Sequence, residues 1–246
     1  MDSGVMRRNE PDIPGSPVGR RIFLGLVVAG AAGILGGGAI QNGLATVMGP
    51  IGNHDPTGLV GLIPLGNNFR FYSVTTGAPR KDESSYELTV DGLVTTPRTL
   101  GLQDLRAMPQ TSLVRDFQCV TGWRVPQVPW SGVRLSEILD AASPTADATA
   151  VRFTSFDGTY TESLTLEQAR RDDVIVALTM LCGPVTHDHG GPVRLYVAPM
   201  YGYKSLKWLG GIELTSDVVP GYWEPRGYSI DGWVGASNGR DDDATS

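Results

Sequence analysis

The stretch DFQCVTGW, residues 116–123, ends an apolar run and contains one of the two cysteines in the chain. The run TSLVRDFQC predicts a strand that delivers Cys119 to its end, and the following VTGW predicts a turn. A thiol at the end of a strand lies where binding and catalytic sites are commonly built. Cys119 is therefore the first candidate for a functional residue.

Three interpretations of Cys119 are open from the residues alone. A cysteine is most often a small buried apolar residue, and two cysteines in an exported chain can form a disulfide, here Cys119–Cys182. A thiolate is also a preferred ligand of soft transition metals. Because His54, His187 and His189 do not form a plausible zinc set with it, a metal at Cys119 would need an organic cofactor to supply its other ligands.

Short strands and brief helices surround this stretch on both sides. The predicted strands are SYELTVDGLV, TSLVRDFQC, DVIVALTM, PVRLYVAP and LKWLGGIELT, and TAVRFTSFDGTYTESL predicts a hairpin with Asp157 and Gly158 at its tip. Short helices are predicted around LQDLRAM, in WSGVRLSEILDAA after a turn at Ser131 and Gly132, and at the capping box from Thr165 to Gln168. The pattern predicts an α+β fold with sheets at its centre.

Composition agrees with a protein of this kind. With 246 residues, of which 41% are hydrophobic, the chain is long enough to bury one sizeable core. The 32 glycines and 17 prolines favour many turns over long helices. The net charge of -6 gives no electrostatic reason to expect nucleic acid as a partner, since such proteins carry a basic face.

The N-terminal residues differ in composition from the rest of the chain. Arg20 and Arg21 precede the uncharged stretch 22–40, whose length as a helix approaches the hydrocarbon thickness of a bilayer, about 30 Å. The sequence GRRIFLG resembles a twin-arginine export signal, with Phe23 and Leu24 after the arginine pair. Such export carries proteins already folded around a cofactor. An ordinary signal peptide or a plain membrane anchor is the alternative.

Each of these interpretations places the remaining chain outside the cytoplasm, because arginines favour the cytoplasmic side of a membrane. Cleavage and retention of residues 22–40 both stay open, since QNGLATVMG contains no clear cleavage site. The predicted organisation is a signal or membrane anchor (1–45), a linker (46–62), one folded domain (63–236) and a disordered tail (237–246).

Five separated stretches of the predicted domain resemble the sulfite oxidase family of molybdopterin enzymes, and within it the small bacterial type represented by periplasmic methionine-sulfoxide reductases. They are GNNFRFY, DFQCVTGW with VPWSGVRL, VRFTSFDG, DHGGPVRLYVAPMYGYKSLKWLGGIEL, and GYWEPRGYSIDGW. The resemblance implies a mixed α+β domain that carries molybdenum-molybdopterin as its cofactor. It also implies that Cys119 is the protein ligand of the metal. Cys182, which follows a predicted strand, is expected to be a packed free thiol.

The same resemblance implies which residues contact the cofactor. Arg194 and Lys207 correspond to the positions that hold the phosphate of the pterin, with Ser205 and Leu206 in the same segment. His189 corresponds to a position that can hydrogen-bond the cofactor. The first cofactor-contacting stretch supplies Asn67, Arg70 and Phe71, and the central strand supplies Thr154. Trp123 and Arg124 are expected beside the metal as catalytic residues, with Tyr201 and Tyr203 as further candidates for lining the substrate path.

The expected activity is oxygen-atom transfer at one metal centre outside the cytoplasm. The two cysteines cannot form a C-x-x-C or haem-attachment motif, so an external electron partner is expected, such as a membrane haem protein or a quinone-linked protein. We expect a monomeric catalytic domain that reduces a small or protein-bound sulfoxide or other S- or N-oxide. The alternatives are oxidation of a small sulfur oxyanion such as sulfite, and a binding module that has kept the fold without the cofactor.

Overall fold

The computed structural model describes Phe69, Val74 and residues 79–237, all of which belong to a unit that begins at Asn67. The predicted anchor and linker lie outside the described residues, as do all but the first residue of the predicted tail and three predicted cofactor contacts, Asn67, Arg70 and Phe71. In the part of the chain that is described, no helix has both the length and the apolar character needed to cross a bilayer.

Short strands are the main regular structure of the described chain. They are β1 (Glu87–Gly92), β2 (Arg98–Gly101), β3 (Gln110–Gln118), β4 (Arg124–Arg134), β5 (Ala150–Ser155), β6 (Thr161–Thr165), β7 (Val174–Met180), β8 (Gly183–Pro184), β9 (Arg194–Val197) and β10 (Leu209–Thr215). The helices are α1 (Leu102–Ala107), α2 (Leu135–Ala142) and α3 (Leu166–Ala169), and 3-10 turns cover His187–His189 and Glu224–Arg226. The predicted α+β class with sheets at its centre is confirmed.

Two sheets organise these strands. The first has the order β2-β1-β10-β5-β6, in which β1 and β10 are parallel and the other pairs antiparallel. The second has the order β3-β4-β7-β8, and β9 pairs with the first part of β7. All pairs in this second sheet are antiparallel.

Strand β7 contributes to two apolar clusters at once. Val174 and Val176 belong to the main core, together with residues of β1, β5 and β10. Ile175 and Ala177 point to the other face and pack with the aromatic side chains of β3 and β4. Because successive side chains of a strand alternate between faces, a strand covered on both sides is apolar along nearly its whole length, as β7 is from Val174 to Leu178.

The turn predicted at Ser131 and Gly132 is wrong, since both residues lie inside β4. The register of β4 against β7 shifts between these two residues. A Cβ atom on Gly132 would lie only 2.1 Å from the carbonyl oxygen of Val176. Glycine therefore allows the two strands to approach closely here.

The sequence did not reveal β4, because Pro126 and Pro129 argue against a central strand. A β-bulge explains how β4 can contain these prolines. The register against β3 shifts opposite Asp116, and Gln127 adopts a positive φ of 52°. The Asp116 carboxylate accepts a hydrogen bond from the backbone N–H of Gln127 at 2.9 Å, so a side chain replaces the interrupted strand pairing.

Candidate active site

Loops from both sheets and the segment after β10 enclose a cavity of about 370 Å³. The loops are the β3–β4 turn, the β5–β6 hairpin, the turn before β9 and the β9–β10 loop. Eight of the residues predicted from the sequence line it: Cys119, Trp123, His189, Arg194, Tyr203, Ser205, Leu206 and Lys207. The fold thus brings together residues up to 88 positions apart, from Cys119 to Lys207.

Cys119 follows β3 directly and lies in the tight turn that leads into β4. Its backbone N–H donates to the carbonyl oxygen of Trp123 at 2.9 Å, and the N–H of Gly122 donates to the carbonyl oxygen of Cys119 at 3.0 Å. Gly122 has a φ of 97°, which glycine adopts without strain. The hydroxyl of Thr121 donates to Cys119 Sγ at 3.2 Å. The turn presents a partly buried thiol to the cavity.

Both cysteines are free, so the disulfide interpretation is wrong. The expectation that Cys182 is packed is also wrong, because this residue is exposed. It lies in the turn that joins β7 to β8 and has a positive φ of 62°. The chain reverses direction within two residues there, which turns the side chain toward solvent.

Arg194, the first residue of β9, is 1% exposed. Its Nη1 donates to the carbonyl oxygen of His189 at 2.7 Å, and its Nη2 donates to that of Ser205 at 2.9 Å. The guanidinium lies 5.5 Å from the ring centroid of Phe117 and the same distance from that of Trp130. No described carboxylate forms an ion pair with it, and burial lowers the pKa of Arg194 to about 10.

His189 and Lys207 line the cavity beside Arg194, and we call these three residues the cationic cluster. Burial, followed by the charges of Arg194 and Lys207, lowers the pKa of His189 to about 4. Burial and the charge of Arg194 lower the pKa of Lys207 to about 7, although its Nζ donates to the carbonyl oxygen of Asp188 at 2.7 Å. Burial together with the two neighbouring cations keeps the imidazole of His189 neutral at pH 7.

Aromatic side chains pack beside the Cys119 turn and next to the guanidinium of Arg194. Trp123 stacks on Phe117 with 5.7 Å between ring centroids, and Phe69 lies 5.2 Å from Phe117. Gly202 makes this packing possible, because a Cβ atom there would lie 2.4 Å from the Phe117 ring. The N–H of Gly202 also donates to the carbonyl oxygen of Gln118 at 2.7 Å, which ties the β9–β10 loop to the residue before Cys119.

Five further aromatic residues line the cavity: Trp208, beside the cationic cluster, and four that we call the aromatic wall, Tyr160, Tyr203, Trp223 and Tyr228. The ring of Tyr228 lies 5.3 Å from that of Tyr203 and 5.0 Å from that of Trp223. Val120, the residue after Cys119, packs in the same cluster. The thiol therefore lies next to an apolar, aromatic part of the cavity.

Among the predicted residues that the structure describes, three do not line the cavity. Arg124 donates through Nε to Gln118 Oε1 at 2.7 Å, and its Nη1 lies 3.5 Å from the carboxylate of Asp116. Tyr201 is fully buried in the cluster behind the aromatic wall. Thr154 lies on β5 immediately before Ser155, which does line the cavity. Neighbouring strand residues face opposite sides, so the two side chains diverge.

Sequence reasoning missed most of the aromatic wall and the charges behind it. Tyr160 follows the tip of the predicted hairpin, and Trp223 and Tyr228 lie in the quoted stretch GYWEPRGY. No local pattern marks such residues as cavity-lining. Lys204 and Glu162 bond to each other at 2.6 Å across 42 positions, a pairing that requires the folded chain.

A family model described as the oxidoreductase molybdopterin binding domain matches residues 75–223. The chain belongs to this family. The match covers the Cys119 turn, the cationic cluster and part of the aromatic wall. The predicted membership of the sulfite oxidase family is confirmed, as is the assignment to the molybdopterin-binding oxidoreductases.

Several oxidoreductases are similar in sequence to the chain. The uncharacterized oxidoreductase YuiH of Bacillus subtilis is 34% identical over 62% of this chain and 76% of its own length. The protein-methionine-sulfoxide reductase catalytic subunit MsrP of Campylobacter jejuni is 27% identical, over 64% of this chain and 61% of its own. The sulfite oxidase of Arabidopsis thaliana is 29% identical, over 59% and 46%. The chain thus spans less than two thirds of the latter two proteins.

Among solved structures, the sulfane dehydrogenase SoxCD from Paracoccus pantotrophus matches with a TM-score of 0.54. The match covers 58% of this chain and 41% of that chain, at 22% sequence identity. The fold is therefore shared with a molybdopterin-family structure beyond the range of close sequence similarity.

Proposed function

We propose that the cavity binds molybdenum-molybdopterin, with the Cys119 thiolate as the protein ligand of the metal and the cationic cluster around the phosphate. One observation carries the proposal. A free thiol and a buried guanidinium that has no described carboxylate partner face the same cavity. A buried charge is costly unless it is paired, so the site fits an anionic ligand.

The chemistry of the side chains supports each part of this fit. A metal-bound cysteine must be a thiolate, and the Thr121 hydroxyl already donates a hydrogen bond to Cys119 Sγ. Arg194 is held by three backbone carbonyls, those of His189, Ser205 and Leu195, so its remaining N–H groups are oriented without a side-chain partner that a ligand must displace. Lys207 adds a second cation, whose depressed pKa would rise again beside a phosphate.

When bound, the cofactor supplies two-electron oxygen-atom transfer, a reaction that amino-acid side chains cannot perform. The roles proposed for the chain are to orient the cofactor, to exclude water and to admit the substrate. Trp123 and Phe117 cover the side of the Cys119 turn that faces the cationic cluster. The aromatic wall is the proposed substrate side of the cavity, because it packs against Val120.

We further propose that the substrate is an uncharged sulfoxide or other S- or N-oxide, which is reduced. Such a substrate accepts two electrons and two protons and yields the deoxygenated product and one water molecule. Two cations that directly follow cavity-lining residues in the chain, Arg124 after Trp123 and Lys204 after Tyr203, are already paired with acids: Arg124 with Asp116, and Lys204 with Glu162 and Glu224. An oxyanion such as sulfite would meet the rings of the aromatic wall, which favour an uncharged ligand.

The two electrons are proposed to come from an external protein, such as a membrane haem protein or a quinone-linked subunit, in the extracytoplasmic space. The support is the pattern of the N-terminal sequence and the similarity to a methionine-sulfoxide reductase catalytic subunit. Protein loaded with molybdenum should therefore couple a reduced redox dye, as a substitute donor, to oxide reduction.

The test compares two directions of turnover on fully molybdenum-loaded protein. Reduction of methionine sulfoxide and dimethyl sulfoxide with a reduced dye is the expected activity, and oxidation of sulfite with an oxidised acceptor is expected to be much slower. Faster sulfite oxidation would replace the proposal by the oxidase alternative. Protein that binds no molybdenum in a host able to make the cofactor would favour the cofactor-free module.

A further inference from the structure

Glu162, Lys204 and Glu224 form a buried cluster outside the cavity lining. Lys204 Nζ lies 2.6 Å from Glu162 Oε2 and 2.8 Å from Glu224 Oε1. The side chains of Glu162, Lys204 and Glu224 are 1%, 1% and 5% exposed. None of them has a role in the cofactor site proposed above.

The cluster contains one cation for two carboxyl groups. Two buried carboxylates that share a single lysine leave an uncompensated negative charge, which favours retention of a proton on one of them. Glu162 Oε1 and Glu224 Oε2 are buried without another hydrogen-bond partner. The two carboxyl groups are near enough to influence each other through a side-chain hydrogen bond, and one proton shared by the pair makes the cluster neutral.

The pKa directions agree with this arrangement. Burial, opposed by Lys204 and assisted by Glu224, raises the pKa of Glu162 to about 8. Burial alone would also raise the pKa of Glu224, but hydrogen bonds from Lys204 and Glu162 lower it. The other titratable group facing Glu162 in the described chain is the Tyr160 hydroxyl, whose pKa burial and the two glutamates raise. Glu162 is therefore the protonated member at pH 7.

Each residue of the cluster is close in sequence to a member of the aromatic wall. Glu162 is two residues from Tyr160, Lys204 follows Tyr203, and Glu224 follows Trp223. The cluster thus joins β6, the β9–β10 loop and the segment after β10, which are otherwise separate parts of the chain.

Neighbouring hydrogen bonds connect the same three parts. The Tyr160 hydroxyl donates to the carbonyl oxygen of Tyr203 at 2.7 Å, and the Tyr203 hydroxyl donates to that of Ser229 at 2.6 Å. The backbone N–H of Tyr222 donates to the carbonyl oxygen of Thr161 at 2.9 Å. The charged cluster adds buried ion pairs between side chains to this network.

We propose that Glu162, Lys204 and Glu224 are positioning residues that hold the aromatic wall in place as a neutral, singly protonated cluster. They act on substrate binding through Tyr203 and Trp223 and touch neither substrate nor cofactor. The inference rests on the proposed function, since the ligand of the wall is taken to be an uncharged oxide. It adds that affinity for that oxide depends on buried charged residues that do not contact the substrate.

Because only one of the two carboxyl groups holds a proton, substitutions at the three residues should have unequal effects. Glu162→Gln replaces a protonated carboxyl group by a neutral isostere and should change little at pH 7. Glu224→Gln removes the ionised partner of Lys204, so Glu162 must ionise in its place and the link to Trp223 is lost. Lys204→Met leaves two carboxyl groups without a cation. The expected order of effect is therefore Lys204→Met, then Glu224→Gln, then Glu162→Gln.

The first experiment measures methyl phenyl sulfoxide on molybdenum-loaded protein, as KM and kcat in turnover and as Kd by calorimetry. Lys204→Met and Glu224→Gln should raise KM and Kd about ten-fold, with kcat and molybdenum content within about two-fold of wild type. Glu162→Gln should stay near wild type at pH 7. Asp172→Asn is the matched control, because Asp172 pairs with Arg134 at an exposed site.

The second experiment needs no turnover. The infrared spectrum of the wild type at pH 7 should contain a protonated-carboxyl band that disappears by pH 10. The band should be missing in Glu162→Gln, and in Glu224→Gln it should already be absent at pH 7. A band that persists in Glu162→Gln would overturn the assignment of the proton.

The positioning role is overturned if Lys204→Met and Glu224→Gln keep the wild-type KM and Kd. It is also overturned if kcat or molybdenum content falls as much as affinity does, because that pattern indicates a general loss of structure. Absence of oxide turnover by the loaded wild type counts against the proposed function alone, since the calorimetric Kd and the infrared band still decide the inference.

Discussion

At the scale of single residues, the site depends on two side chains whose surroundings differ sharply. Cys119 is partly open to the cavity and its sulfur accepts one hydrogen bond, from Thr121. Arg194 is buried and bonded to backbone carbonyls. A soft anionic donor and a fixed cation are the two kinds of group that a metal-bearing, phosphorylated cofactor requires.

Replacing the thiol tests the metal ligand directly. Cys119→Ser should reduce the molybdenum content by at least about ten-fold, because a serine hydroxyl does not ionise to a soft donor at neutral pH. Elemental analysis of purified protein gives the measurement. Cys182→Ser is the matched control, since Cys182 is a free but exposed cysteine, and it should keep the wild-type content. Equal metal content in both variants would contradict the ligand assignment.

The guanidinium is tested with a change that keeps its charge. Arg194→Lys retains a cation, but a single ammonium nitrogen cannot reproduce the planar fork whose separate nitrogens reach the carbonyls of His189 and Ser205 and, as proposed, a phosphate. Loss of one charge-assisted hydrogen bond costs about 1.5–3 kcal/mol, so the rate of cofactor release should rise about 10- to 100-fold. Pterin fluorescence after dialysis measures that release. Arg171→Lys, at an exposed pair with Asp173, should leave it unchanged.

At the scale of elements, the cavity depends on how closely neighbouring strands and loops can approach. β4 carries a bulge at Gln127 and a register shift at Gly132, and these two irregularities lie on either side of Trp130. Trp130 stacks on Tyr196 with ring centroids 4.1 Å apart, beneath the guanidinium of Arg194. The irregular strand thus helps to form the floor of the cationic cluster.

A single methyl group should disturb this strand. Gly132→Ala places a carbon 2.1 Å from the carbonyl oxygen of Val176, a backbone atom that cannot rotate away. Overpacking of this kind costs about 1–3 kcal/mol, which lowers the melting temperature by several degrees in a domain of this size. Thermal unfolding followed by circular dichroism measures the shift. Gly183→Ala serves as the control, because no atom lies within 4 Å of its added carbon.

At the scale of the whole molecule, buried titratable groups have opposite effects on how stability changes with pH. The raised pKa of Glu162 makes stability fall as pH increases from its unfolded value of 4.5 to about 8, because the folded state binds the extra proton in that range. The lowered pKa of His189 makes stability rise between about 4 and 6.5, and that of Lys207 between about 7 and 10.5. The opposing slopes partly cancel.

Removing the carboxyl group of Glu162 should leave only the contributions of the other groups to the pH dependence of stability. In Glu162→Gln the falling contribution is absent, so the melting temperature of the variant minus that of the wild type should increase as pH rises from 5 to 8. In free energy of unfolding, the difference between variant and wild type changes by at most about 1.4 kcal/mol per pH unit, the value for one proton. Parallel melting curves from pH 5 to 8 measure it. A difference that does not vary with pH would mean that Glu162 is ionised throughout.

Much of the site was predictable from the sequence, because several of its residues lie in short continuous segments. The turn after β3 and the segment from Ser205 to Lys207 could be recognised locally, and both line the cavity. Arg124 could not be placed in this way. Its adjacency to Trp123 suggested a lining residue, whereas its guanidinium lies against Gln118 and Asp116.

By itself, the sequence determined the strand-rich class, the thiol at the end of β3 and the family to which the chain belongs, since these follow from alternation, turn residues and contiguous motifs. Only the tertiary structure decided which charges are paired. Arg194 has no described acid beside it, whereas Lys204 has two. The physical reason is that ion pairing and burial depend on atoms separated by tens of residues in the chain, and no local pattern encodes those distances.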